Sequence, residues 1–270
     1  MEKNYFKNFK IKFKRIFKKK RNKGMWQGDF QSWSQAQSKT TGYDSDIILE
    51  KCRNALLKVK NGEAVYERDS VLFDSIQYSW ALLCSLQKVA IENNNNLNII
   101  DFGGSLGSTY FQNIKMLHNL NSIKWCIIEQ PHFVSCGKEY FEDDKLFFHE
   151  NFSQALDKFT PNVLLLSSVL QYLEDPKYWI KYVSELKFPY IIIDRTAIAN
   201  DSRDIITVQI VNEEIYQASY PCWFFNEKKL LNLFENYELV FDFDSFCDFP
   251  LKINDQTDVF WKGYLLKLKS

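Results

Sequence analysis

The chain has 270 residues, 46% hydrophobic and 16% aromatic, which is enough for one large domain with a buried core. Basic and acidic residues balance at 34 each, but eleven of the basic ones and the single acid Glu2 lie in residues 1–23, leaving an acidic body that disfavours broad nucleic-acid binding. Six scattered cysteines without a C-x-x-C pair, three histidines and no apolar run of about 18 residues argue against a disulfide framework, a metal site and a membrane span.

In residues 1–23, Phe6, Phe9, Phe13, Ile16 and Phe17 recur at helical spacing between lysines and arginines. That pattern is a basic amphipathic helix suited to an anionic membrane surface, or a solvated tail. It has neither the apolar stretch nor the cleavage site of a secretory signal, so the expected place is the cytoplasm, with peripheral attachment to the inner membrane face as an option. Residues 24–96 read as an N-terminal helical extension. Its polar, turn-rich start to residue 46 is expected to be irregular, packing Trp26 and Trp33 onto the body. Helices are expected over Ile47–Lys60 and Val71–Ile91, with Asp69 or Ser70 of the cluster Tyr66-Glu67-Arg68-Asp69-Ser70 capping the second.

From residue 97 to 270 the rhythm changes. Short apolar runs at Leu97–Phe102, Ile123–Ile128, Leu146–Phe148, Val163–Leu166 and Tyr190–Ile193 are strand-sized, with helical patterns over Tyr110–Leu120 and Val169–Leu186. Alternation of this kind predicts right-handed crossovers and an α/β fold, a Rossmann-like, mostly parallel, doubly wound sheet. A helix over Lys228–Phe234 and strands over Glu238–Phe243 and Gly263–Leu268 close the chain.

In such a sheet the ligand meets the first strand-to-helix turn, here Asp101-Phe102-Gly103-Gly104-Ser105-Leu106-Gly107-Ser108. A dinucleotide fingerprint from Gly103 needs glycines at positions 105 and 108, and both are serine; the lysine of a nucleoside-triphosphate loop is also missing. The turn resembles the first motif of class I S-adenosylmethionine-dependent methyltransferases, an apolar strand, an acid and G-x-G-x-G, with Ser105 in place of the middle glycine. The resemblance implies S-adenosylmethionine as cofactor, with Asp101 beside its methionine amino end and Gly103, Gly104, Ser105 and Gly107 passing close to it. The second strand ends at Glu129-Gln130, where this class accepts both ribose hydroxyls, and one carboxylate can accept two such bonds. The fourth runs into Ser167-Ser168-Val169-Leu170-Gln171-Tyr172-Leu173, whose Ser167, Ser168 and Gln171 are cofactor candidates and Tyr172 a substrate candidate.

Further strings narrow the likeness: Tyr66 to Ser70, Glu129-Gln130 with His132-Phe133-Val134, Asp194-Arg195-Thr196 and Ile215-Tyr216-Gln217-Ala218-Ser219-Tyr220-Pro221. Over roughly Trp26–Leu268 the chain resembles the predicted bacterial methyltransferases of the TIGR04325 family. That resemblance implies a methyltransferase and an association with surface-polysaccharide assembly. A sugar hydroxyl as acceptor would benefit from a general base. The candidates are Asp194, preferred, then Glu67 and Asp69, while His132 is better placed to border adenosine. Arg195, Tyr220 and Trp223 complete the substrate candidates, because the aromatic run Tyr216–Phe225 suits stacking on a sugar ring as well as lid or core packing. No metal is expected. Two other readings stay open: a non-catalytic S-adenosylmethionine-binding or adaptor protein, and a nicotinamide-dependent sugar oxidoreductase.

Overall fold

The computed structural model describes residues 25–41, 45–211, 218–245, 251–254 and 256–270. The basic segment 1–23 and the string at 215–217 lie outside the described residues. The elements in chain order are β1 (Trp26–Phe30), α1 (Trp33–Gln37), α2 (Ser45–Lys60), β2 (Tyr66–Arg68), β3 (Val71–Phe73) and α3 (Trp80–Glu92). The alternating part follows with β4 (Asn96–Phe102), α4 (Ser108–Asn113), β5 (Ser122–Ile128), α5 (Pro131–Tyr140), β6 (Leu146–His149), α6 (Phe152–Leu156), β7 (Val163–Ser167), α7 (Pro176–Glu185) and β8 (Tyr190–Ala199). The chain ends with β9 (Ile205–Ile210), β10 (Ser219–Phe224), α8 (Glu227–Asn232), β11 (Tyr237–Asp244), β12 (Leu251–Ile253) and β13 (Thr257–Leu268).

The main sheet runs β11-β13-β8-β7-β4-β5-β6, with β12 added on β13. Its five strands β4 to β8 are parallel, and β13 is antiparallel to both β8 and β11. The order places β4 at the centre, flanked by β5 on one side and β7 on the other, so the chain changes direction at β4 and leaves a crevice beyond the strand ends there. The expected doubly wound α/β fold is the one found.

The continuous apolar strands follow from burial on both faces. Ile99, Trp125, Val163, Leu165 and Ile192 point to one layer with Leu56, Leu86, Tyr110 and Phe133 of helices α2 to α5. Their strand neighbours Ile100, Cys126, Leu164 and Ile191 point to the other, with Phe152, Ile180, Val183 and Leu230 of α6 to α8. Side chains of Asn151, Asp175 and Asn226 each accept a hydrogen bond from a first-turn N–H of the helix they precede, which fixes where α6, α7 and α8 begin.

Several expectations are corrected. The helix expected from Val71 begins only at Trp80; Val71–Phe73 instead pairs back onto Tyr66–Arg68. Asp69 and Ser70 are the turn of that hairpin, both left-handed at φ 52° and 65°, rather than helix caps. Tyr110–Leu120 is helical only to Asn113 with a 3-10 turn after it, and Val169–Leu186 is cut by Asp175-Pro176 into a 3-10 turn over Leu170–Tyr172 and α7. The fifth strand does not stop near Ile193 but continues to Ala199. The supposed irregular lead-in contains β1 and α1. Strand β1 pairs with β9, which also holds β10, so the aromatic run before Phe225 is a strand of a small antiparallel sheet. Trp26 is buried against Phe224 and Trp261, and Trp33 packs on Trp223, as the lead-in reading anticipated.

Candidate functional site

The turn after β4 is tied to β5 by a hydrogen bond from the Gly103 N–H to the Ile128 carbonyl at 2.9 Å. Its glycines are structurally required. Gly103 sits at φ 74° against Val169, and a Cβ on Gly104 would lie 2.7 Å from Asp101 Oδ2. Ser105 adopts φ 53°, so the serine carries the left-handed conformation that the absent glycine would supply. Gly107, also left-handed, precedes α4.

Three carboxyls surround this turn. Asp101 lies beneath it, 1% exposed, with Oδ2 accepting from Trp125 Nε1 at 3.0 Å. Burial pushes its pKa up to about 7, although the Trp125 bond opposes this. Glu129, at the end of β5, accepts from the Ser105 N–H at 3.3 Å on one oxygen and from the Gln130 N–H at 2.8 Å on the other. Each oxygen keeps a further lone pair for a hydroxyl. Beside Glu129, His132 Nε2 is buried and has no hydrogen-bond partner in the described structure. Glu67 comes from the β2–β3 hairpin: it accepts from the Ser108 hydroxyl at the start of α4 and from the Ser70 N–H at 3.1 Å. Burial raises its pKa to about 7, and the charge of Asp69 adds to the rise. Cys52 of α2 closes the cluster, its thiol pushed up to about 12 by burial, Glu67 and Asp69.

On the other side of β4, the ends of β7 and β8 form a second group. The register of β13 against β8 shifts between Lys262 and Tyr264, so Asp194 and Arg195 share one position on the partner strand. This bulge, with Arg195 at φ 49°, brings both adjacent side chains to one cavity. Asp194 is 2% exposed and accepts from Ser167 Oγ at 3.2 Å and from Ser245 Oγ at 2.8 Å; Arg195 Nε stands 3.9 Å from it. Buried Gln171 donates to Ser168 Oγ at 3.2 Å and to the Arg195 carbonyl at 3.1 Å. The cavity is also lined by Tyr66, Arg68, Gln77 and Thr109.

The expected cofactor residues therefore cluster at the carboxyl ends of β4, β5 and β7, with Glu67 beside them and Asp194 and Arg195 two strands away. The other substrate candidates divide. Tyr172 donates to Gln209 Oε1 at 2.9 Å and meets Tyr220 edge to face. Trp223 does not reach the Asp194 cavity; stacked between Trp33 and Phe225, it lines a separate groove of about 690 Å³ with Glu174, Asp175 and Lys229. Ser245, Gln77 and the Trp125 indole escaped the sequence reading. Ser245 and Gln77 lie in no motif, and Trp125 reads only as a core residue of a strand.

Neither a family model nor a curated protein matches the sequence. Similar solved structures include the N-terminal domain of EvdMO1 in the presence of S-adenosylhomocysteine (SAH) and D-fucose, at 9% identity over 80% of this chain and 97% of that one, TM-score 0.47. The N-methyltransferase NodS from Bradyrhizobium japonicum in complex with SAH is similar at 10% identity over 71% and 87%, TM-score 0.41. The mitomycin 7-O-methyltransferase MmcR is similar at 13% identity over 70% and 54%, TM-score 0.42. At these scores the chemistry rests on the site's own residues.

Proposed function

We propose that the chain is an S-adenosylmethionine-dependent methyltransferase that O-methylates a sugar or glycan precursor, within the narrower bacterial group its motifs resemble. The observation that carries the cofactor assignment is the set of three buried or half-buried carboxyls, Asp101, Glu67 and Glu129, around the glycine turn. An acid at the Glu129 position would serve the ribose of either ligand, but the pyrophosphate of a dinucleotide would bring negative charge against Asp101 and Glu67, whereas a ligand carrying an ammonium and a sulfonium supplies the counter-charge that burial withholds. This favours S-adenosylmethionine over a nicotinamide cofactor. When bound, that cofactor supplies an electrophilic methyl group.

The protein's own residues account for the rest. Glu129 accepts the ribose hydroxyls, and Asp101 and Glu67 hold the amino end over β4. Asp194 borders a small cavity of about 20 Å³, which an acceptor would have to widen, and both its oxygens are fixed by hydroxyl donors, so its orientation is set and its remaining lone pairs can take the acceptor's proton. In-line transfer depends on alignment, and holding acceptor and cofactor in line can lower the barrier by several kcal/mol. The support for a sugar acceptor is the motif resemblance alone. Residues 1–23 would add contact with an anionic membrane surface, on the strength of their phenylalanine and lysine spacing, and deleting them should abolish vesicle binding without changing cofactor affinity. Among the described residues no helix is long and apolar enough to cross a membrane.

The test is incubation of the protein with methyl-labelled cofactor and a glycan-precursor pool, followed by mass spectrometry. A labelled sugar product supports the proposal. Cofactor binding without transfer to any pool component would favour the adaptor reading.

A further inference from the structure

The groove of about 690 Å³ beside Trp223 shares no lining residue with the Asp101–Gly107 turn, with Glu129 or with the small Asp194 cavity. Its volume is within the range of small-molecule sites, roughly 300–1,000 Å³. It opens between the small sheet, through Ile206 of β9 and Trp223 of β10, and the starts of α7 and α8, through Pro176 and Lys229.

One wall is aromatic. Trp33 stacks on Trp223 and Trp223 on Phe225, each pair 6.2 Å apart between ring centroids and close to parallel. Phe225 is buried, whereas Trp33 and Trp223 are half-buried, so each indole keeps some surface open. The Trp223 ring is held in place, because its indole N–H donates to the Leu173 carbonyl at 3.1 Å.

The rim is polar and partly fixed in advance. Asp175 accepts from the Tyr178 N–H at 3.0 Å and Asp204 from the Asn226 N–H at 2.8 Å. Each uses one oxygen, and the second has no protein donor among the described residues. Glu174, Lys177 and Lys229 are exposed on the same rim and form no ion pair among the described residues. Three carboxylates against two ammonium groups leave the rim near balance, which gives an anion no advantage. A purely apolar ligand would strip water from these groups without replacing its hydrogen bonds. A sugar ring satisfies both surfaces: its C–H face lies on an indole, and its hydroxyls donate to carboxylates and accept from lysines.

We propose that this groove is a binding subsite for a neutral saccharide, separate from the methyl-transfer crevice, with Trp33 and Trp223 as its stacking surface and Asp175 and Asp204 as hydroxyl acceptors. The subsite does not rest on the methyl-transfer reading. It adjoins the crevice through Leu173, the last residue of the segment that carries Ser167, Ser168 and Gln171, so a glycan held there stays close to the cofactor ends of the strands.

The experiment titrates the full chain with maltose, cellobiose and lactose, followed by tryptophan fluorescence and by saturation-transfer NMR, with SAH affinity measured in parallel by calorimetry. At least one sugar should give a saturable response. Trp33→Ala should weaken it about tenfold, the scale of a lost aromatic contact, and Asp204→Asn about threefold. Both variants should keep SAH affinity within about twofold, and Asp101→Asn should keep sugar affinity within about twofold. If Trp33→Ala does not fold, Asp204→Asn decides. No saturable response to any of the three sugars, or groove variants that bind like the wild type, would overturn the subsite. A sugar response that Asp101→Asn abolishes would place the sugar in the crevice and also overturn it. Saturable binding of tetramethylammonium in place of the sugars would assign the groove to a cation, with the same consequence. A wild type that binds a sugar but no SAH would sink the methyl-transfer reading while leaving the subsite in place.

Discussion

Glu67 accepts a hydrogen bond from the Ser108 hydroxyl, so the β2–β3 hairpin is tied to the first residue of the helix that follows the cofactor turn. The two residues are 41 positions apart, and the contact turns a surface hairpin into one wall of the crevice. Ser108→Ala removes a donor to a buried carboxyl and frees the hairpin from the turn. We expect SAH affinity to fall by roughly tenfold, about 1.5 kcal/mol, the lower range for a hydrogen bond to a charged group. Calorimetry at neutral pH checks this, and an unchanged affinity would detach the hairpin from the cofactor site.

Gly104 and Asp101 form the second wall. A methyl group at Gly104 would meet the Asp101 carboxyl at 2.7 Å, so Gly104→Ala must displace the turn. Its expected cost is about 1–3 kcal/mol in unfolding free energy, with a loss of SAH binding. Asp101→Asn keeps an acceptor for Trp125 but removes the charge, and should weaken SAH by about 1.5–3 kcal/mol without loss of fold. Denaturant titration beside calorimetry separates the two effects.

Burial holds both Glu67 and Asp101 at about 7, above their ordinary values of 4.5 and 3.8. A carboxyl with a raised folded pKa binds its proton more tightly in the folded state. Its contribution to stability is therefore full below its ordinary pKa and declines as pH rises through about 7. Glu67→Gln removes one such group, so its stability should fall less between about pH 5 and 8 than that of the wild type. S-adenosylmethionine, a cation, reverses the preference and should displace protons on binding near neutrality. The observed binding enthalpy should then vary with the ionisation enthalpy of the buffer, and a buffer-independent value would contradict the electrostatic account.

Asp194 and Glu67 are assigned different tasks, which substitution can tell apart. Asp194→Asn should leave SAH affinity within about twofold while lowering turnover by about 10²-fold or more, as loss of a general base does. Glu67→Gln should act first on cofactor affinity. If Asp194→Asn lowers SAH affinity and leaves turnover intact, the roles are wrongly divided.

Much of this site could be read in the sequence, and the parts that could not share a cause. The five parallel strands were visible as apolar runs because both sheet faces are covered, and Asp101, Glu129 and Ser167 follow at their ends because the chain turns there. Val71–Phe73 has no periodicity long enough to separate strand from helix, and only its pairing with Tyr66–Arg68 decides the matter. The small sheet depends on Trp26–Phe30 meeting Ile205–Ile210 across most of the chain, a contact that local pattern does not record. Similarly, the bulge at Asp194 and Arg195 appears only in the register with β13, and it explains how two adjacent residues reach one cavity. Trp223 looked suitable for a sugar by residue type alone; its stacking between Trp33 and Phe225 places it in a different groove.

The most direct test of the cofactor assignment is calorimetric titration of the full chain with SAH and, in parallel, with NAD. The carboxyls around the Asp101–Gly107 turn predict saturable binding of SAH that Glu129→Ala weakens, with no saturable binding of NAD. Saturable NAD binding, or the absence of any SAH binding, would contradict it.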